Sequence, residues 1–333
     1  MSFFHSLSVN RVKITKKSVA RMAFVLISGL VIVAVIRSSS SNVEFNDGQI
    51  TSKWEQLFQT ATNTVVDKLM SDPKRHQPNV NCQSTTDWDA LLDSETLTGP
   101  QLIEYFMWTN HSSCQLSHDF GGLMMDNPSG LAGQKAVCID PEVAPKPGQC
   151  LIYSFGINGD WSFDEKMSRY GCDVYAFDPS MDMGPHDHSP GNVHFYNWAL
   201  GDRNEYDNHF NWTIYSLSTI YKKLSALHGP KIIDYLKIDI EYSEWIALPQ
   251  MIASGMLANV RQLGMEVHLN KADTLEQHVL WAKLLRTIEK MGMVRFDSEY
   301  NPWFMGNFTL FPLSASLGYE IAWYNSNLTR HLS

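Results

Sequence analysis

From Cys150 onward the apolar residues fall into short blocks separated by amphipathic stretches. The blocks Leu151–Phe155, Val174–Phe177, Val193–Tyr196, Tyr235–Ile240 and Leu263–Val267 have the length and continuity of strands buried on both faces. Most are separated by helical stretches: Phe163–Tyr170, Leu217–Ala226, Ser243–Ser254 and Asp273–Met291. The last places Leu275, Val279, Leu284, Leu285 and Ile288 on one side. This alternation predicts a doubly wound α/β fold with a mostly parallel sheet. Val294–Asp297 and Tyr319–Tyr324, with Phe304–Leu313 between them, predict a closing antiparallel hairpin. Upstream, Leu102–Trp108 reads as a helix, and Phe120-Gly121-Gly122 and Asn127 to Gly133 read as turns. Trp54–Met70 spaces Trp54, Leu57, Phe58, Ala61, Val65 and Leu69 as an amphipathic stem helix, after a Ser-rich linker from Ser38 to Gln49.

The first residues follow another pattern. Met22–Ile36 is an uncharged apolar run behind five bases, Arg11, Lys13, Lys16, Lys17 and Arg21. That charge bias predicts an uncleaved signal anchor with a cytosolic N-terminus, a cleaved signal peptide being the alternative. The expected organisation is a basic tail (1–21), a transmembrane helix (22–36), a linker and stem (37–86) and a catalytic domain (87–333). The expected protein is a single-pass type II membrane protein with a luminal domain in the Golgi or endoplasmic reticulum, secreted if the segment is cleaved. In that compartment cysteines pair. Four cysteines, Cys82, Cys114, Cys138 and Cys150, are expected to form two disulfides and leave Cys172 free. Asn110, Asn211, Asn307 and Asn327 lie in sequons.

Charge narrows the function. The chain has 333 residues and a net charge of −9, but residues 1–37 hold six of the 26 bases and none of the 35 acids. The remainder is strongly acidic, which excludes a nucleic-acid binder.

In a sheet of this kind ligands bind outside the carboxyl ends of the strands. The first strand runs into Gly156-Ile157-Asn158-Gly159, where Gly156 admits close backbone approach and Asn158 and Gly159 tolerate a left-handed turn. The second ends at Asp178, 22 positions after Gly156, the place of an acid that binds ribose hydroxyls. After the third strand, the apolar end at Trp198-Ala199-Leu200 would face an adenine, with Gly201 closing the turn. The fourth carries Lys237, Asp239 and Glu241, which share one face by the period-2 rule. Buried charges must pair or reach a cavity, so Asp239 and Glu241 are candidate catalytic groups. His268, ending the fifth strand, is a candidate general base. His186-Asp187-His188 lies in a Pro/Gly stretch without ligand spacing, and no metal is expected.

The segments SFGINGDWSFDEKM, GCDVYAFDPSM, YLKIDIEYSEW and GMEVHL, in that order, resemble the animal methyltransferase-like 24 family. The YLKIDIEYSEW segment also resembles the wider FkbM-type S-adenosylmethionine methyltransferases. The resemblance spans about Asp87 to Asn325. It implies a class I, Rossmann-like methyltransferase sheet and S-adenosylmethionine as cofactor. Gly156, Asn158, Asp178 and Ala199 would be cofactor contacts, with Asp239 and Glu241 on the acceptor side. FkbM-type proteins carry an acid where this chain has Ser154. The expected activity is O-methylation of a hydroxyl acceptor, such as a glycan, in the secretory pathway. Two alternatives stand beside it. One is a catalytically silent luminal binding protein, kept open by Ser154. The other is a type II glycosyltransferase, for which Asp87-Trp88-Asp89 would hold a nucleotide sugar.

Overall fold

A computed structural model describes residues 86–330. Its centre is an eight-stranded sheet. The strands are β1 (Leu151–Phe155), β2 (Asp173–Phe177), β3 (His186–His188), β4 (Val193–Tyr196), β5 (Tyr235–Ile238), β6 (Gln262–His268), β7 (Met293–Tyr300) and β8 (Gly318–Asn325). Their order across the sheet is β7-β8-β6-β5-β1-β2-β4-β3. Strands β4, β2, β1, β5 and β6 are mutually parallel, while β8 runs antiparallel between β6 and β7. This is the mostly parallel sheet with an antiparallel C-terminal hairpin that the pattern predicted. Each parallel block was legible because such a strand is apolar on both faces, as the fully buried β1 shows.

The helices are α1 (Trp88–Leu92), α2 (Gly99–Met107), α3 (Ser162–Tyr170), α4 (Leu217–His228), α5 (Glu244–Ala253) and α6 (Leu275–Lys290). They are distributed unequally. Leu217, Ile220 and Leu224 of α4, Trp245 and Leu248 of α5 and Leu284, Leu285 and Ile288 of α6 pack one face against Phe155, Leu236, Ile238, Met265 and Val267. On the other face, among the described residues, only α3 covers the sheet, with Phe163 and Met167 on Ile152, Val174 and Tyr235. The remainder of that face lies under an N-terminal strap. Ser117–Phe120 pairs antiparallel with Lys135–Cys138, and between them Leu123–Asp126 and Ser129–Ala132 form a hairpin. Gln262 ties the strap down, accepting from the Cys138 N–H and donating to the Cys138 and Val143 carbonyls.

Several expectations need correction. Asn127 to Gly133 is not all turn, since Ser129–Ala132 is a strand. His186–His188 is not a loop but an edge strand, antiparallel to β4. Cys172 is not free: the disulfides are Cys114–Cys138, within the strap, and Cys150–Cys172, which joins the starts of β1 and β2. Cys82 lies outside the described residues. The expected type II membrane protein is not upheld, because among the described residues no helix is long and apolar enough to cross a membrane. The Met22–Ile36 run and the Trp54–Met70 stem lie outside those residues.

Candidate active site

The chain leaves β1 and β5 side by side. Gly156 has φ of +81°, and a Cβ there would land on the Asp239 carbonyl oxygen. The glycine therefore lets two backbones converge, rather than admitting a ligand as the sequence suggested. Lys237 donates to the Gly156 carbonyl and fixes the same junction. Asn158 (φ +47°) and Gly159 (φ +80°) then form the left-handed turn expected of them.

Asp178 sits behind this turn and is 4% exposed. Its Oδ2 accepts the N–H groups of Ile157 (2.9 Å) and Asn158 (2.7 Å). Its Oδ1 accepts the Ser180 N–H (2.8 Å) and hydroxyl (2.6 Å). A carboxylate offers about four acceptor positions, and four donors already use them. The expectation that Asp178 faces a solvent-filled crevice, free for a ribose diol, is thus corrected: its first role is to hold the turn. Ala199 lies in Trp198–Leu200, which pairs with Trp212–Tyr215 in a small separate sheet beyond the end of β4. It is half-buried.

On the other side of the junction lies a cluster of charges. Asp239 continues the extended period from Lys237, and Lys135 of the strap reaches both Asp239 Oδ2 (3.3 Å) and Glu320 Oε1 (2.6 Å). Burial pushes the Asp239 carboxyl up, but Lys135, Lys237 and His268 outweigh it and hold the group at about 2. For Glu320 burial wins, with Glu266 and Asp239 adding to it, and the group is pushed up to about 8. One lysine serves two carboxylates, so they cannot both be held low. Glu241 breaks the period. It and Tyr242 adopt φ of +51° and +71° in succession, which turns the Glu241 side chain outward, 72% exposed. Two non-glycine residues in this region store strain of order 1 kcal/mol or more each, a feature that gathers at functional sites.

His268 is buried, at 3% exposure, among carboxylates. Burial alone would lower its pKa, but Glu244, Glu266 and Glu241 raise it to about 10. These carboxylates favour the charged ring, which counts against the expected role of general base. Lys135, Glu244 and Glu320 were missed from the sequence. Glu320 had a usable signal, a lone acid in an otherwise apolar strand. Lys135 had none, because its strand is short and lies outside the alternating region.

Asp87-Trp88-Asp89 is not a nucleotide-sugar motif. Asp87 caps α1, and Asp89 pairs with Arg286 and Lys290 of α6. Asp187 and Asp173 both pair with His194, while His188 contacts Glu165.

The order of the sheet, with its reversed strand β8 beside five parallel strands, fits a class I methyltransferase architecture. Sequence comparison agrees: a family described as a methyltransferase domain matches residues 101–311. The chain belongs to this family. It is 27% identical over 191 residues to the probable methyltransferase-like protein 24 of Homo sapiens, covering 54% of this chain and 50% of that protein. It is 27% identical over 188 residues to the Rattus norvegicus protein of the same name, with 54% and 51% covered. The chain therefore spans about half the length of the curated relatives it matches. The resemblance read from the motifs is supported.

Proposed function

We propose that this protein is an S-adenosylmethionine-dependent O-methyltransferase acting on a hydroxyl acceptor. The observation that carries the reading is the junction at the carboxyl ends of β1 and β5, where Gly156 and Asp239 meet. It sets the Asp178-held turn on one side and the carboxylates on the other. S-adenosylmethionine would supply a methyl group on a cationic sulfur, an electrophile that needs little activation. The residues present fit it by an exchange. Ser180 is exposed and its hydroxyl occupies Asp178 Oδ1, so a ribose hydroxyl replaces like with like. Asn158, Gly159 and Ala199 would line the nucleoside side.

On the acceptor side, proton removal falls to Glu241. It is the exposed carboxylate of the cluster, whereas Asp239 is ion-paired and His268 is buried against Glu244. Glu241 would take the proton of the acceptor hydroxyl, whose oxygen would receive the methyl group that the cofactor supplies. The silent-binder reading is favoured by one feature, the full set of partners on Asp178 together with the neutral Ser154.

Calorimetric titration with S-adenosylmethionine, followed by transfer of labelled methyl to a panel that includes sugar hydroxyls, tests both. Binding with transfer is expected. Binding without transfer to any acceptor would favour the silent protein, and absence of binding would overturn both.

A further inference from the structure

We propose that Asp239, Glu266 and His268 bind one first-row divalent metal ion at the carboxyl ends of β5 and β6. Donor atoms of the three lie within 4.8 Å of one another. Metal bonds of about 2.0–2.2 Å place donor atoms roughly 3–4.4 Å apart, inside that limit.

The state of the His268 ring is the independent observation. Its Nδ1 is hydrogen-bonded to Glu244 Oε1 at 3.1 Å, and the same oxygen accepts the His268 backbone N–H at 2.7 Å. Glu244 is fully buried and locks the ring in place. The other nitrogen, Nε2, points between Glu241 Oε2 at 3.6 Å and Glu266 Oε1 at 3.7 Å and makes no hydrogen bond among the described residues. A buried imidazole with one nitrogen held by a carboxylate and the other aimed at carboxylate oxygens is the outer-shell arrangement of a metal-ligating histidine. Lys135 engages only Oδ2 of Asp239, and Asn301 Nδ2 engages only Oε1 of Glu266 at 2.8 Å. Asp239 keeps Oδ1 for the ion, and Glu266 Oε1, the oxygen that faces Nε2, keeps a second lone pair beside its bond from Asn301.

Charge favours occupation. The carboxylates of Asp239, Glu241, Glu244 and Glu266 gather around the ring, with Lys135 and Lys237 as the cations beside Asp239. A divalent ion placed among them adds positive charge where carboxylates outnumber cations. One imidazole with carboxylates suits Mn²⁺, Fe²⁺, Co²⁺ or Zn²⁺ better than Ca²⁺, which prefers an all-oxygen shell. Glu241, exposed and turned outward, lies on the open side where an acceptor would enter. The sequence expectation of no metal weighed only the His186 cluster. The site stands without the cofactor. Its use in polarising an acceptor hydroxyl rests on the methyltransferase reading above.

The test uses Mn²⁺ and the folded full chain, without cofactor or acceptor. Electron paramagnetic resonance should count one bound ion per chain, and its pulsed form should show coupling to an imidazole nitrogen. Glu266→Gln and Asp239→Asn should each weaken binding at least ~10-fold, while Asp187→Asn leaves it unchanged. An ion-free wild type, or a bound ion without nitrogen coupling, would overturn the proposal whether or not the variants fold. Either result leaves the methyltransferase reading to its own cofactor titration.

Discussion

The two faces of the central sheet are stabilised by different means. One is a continuous apolar layer in which α4, α5 and α6 pack on Leu236, Ile238, Met265 and Val267. The other, beneath the strap, carries Ser154, Lys237, Asp239, Glu266, His268 and Glu320 on the same strands and closes over them with Lys135. Every strand contributes to both faces by alternation, so the difference is a choice of side chain. The helical face stabilises the fold through area removed from water, which tolerates imperfect geometry. The strap face pairs buried charges, and each pair depends on its partner being present.

The sharpest contrast comes from Lys135→Met. It should destabilise the protein by about 3–5 kcal/mol, because Asp239 and Glu320 lose their shared cation while remaining buried. Leu285→Ala on the helical face should cost about 2–5 kcal/mol through the cavity it leaves. The magnitudes overlap, but the remedies differ. Adding Asp239→Asn and Glu320→Gln to Lys135→Met should recover much of the loss in urea titrations, and no charge change should rescue Leu285→Ala. If neutralising both acids restores nothing, the strap face is held by packing and the comparison fails.

Asp178→Ala comes next. Two turn amides lose charge-assisted partners worth about 1.5–3 kcal/mol each before coupling, so a loss of about 2–4 kcal/mol is expected. Chemical denaturation without cofactor measures it. Wild-type stability in Asp178→Ala would mean that the carboxylate serves only a ligand.

What the sequence revealed divides along the same line. The parallel strands and the helices over them were legible, because burial on two faces forces apolar blocks. The strap was not. Ser117–Phe120 reads S-H-D-F with three exposed residues, and it is held by a disulfide and by the Gln262 side chain, neither of which leaves a periodic trace. At the site, Asp239 lies on the face where alternation from Lys237 put it. Glu241 does not, because two left-handed residues end the period there. His268 was found by position but misjudged in chemistry, since its proton affinity depends on Glu244 and Glu266 from separate elements.

A third, smaller effect lies at Asp164 of α3, fully buried on the strap face. Burial raises its pKa to about 6 from 3.8, with Asp160 adding to it and Lys237 and Ser154 opposing. The folded state holds this proton more tightly than the unfolded one. The associated stability is full below about pH 3.8 and is lost as pH rises through about 6. Asp164→Asn stays neutral. It should therefore exceed the wild type by about 2–3 kcal/mol at pH 7, with the gap closing toward pH 4. A gap that does not change with pH would show that Asp164 is ionised throughout and belongs to the paired network.

The smallest expected effect separates structure from binding at Asp178. The Ser180 hydroxyl uses one position on Oδ1, while its N–H and the two turn amides hold the others. Ser180→Ala removes only that hydroxyl, at an exposed residue, so stability should fall by no more than about 0.5–1.5 kcal/mol. The vacated acceptor position is the one a ribose hydroxyl would take. S-adenosylmethionine affinity should then hold or rise by a few-fold, since a competing intramolecular donor is gone. Asp178→Ala and Ser180→Ala would thus move cofactor affinity in opposite directions through the same oxygen. Calorimetry on the folded Ser180→Ala protein decides it. A ten-fold loss of affinity there would assign the serine hydroxyl to the cofactor and leave Asp178 as a brace for the turn alone.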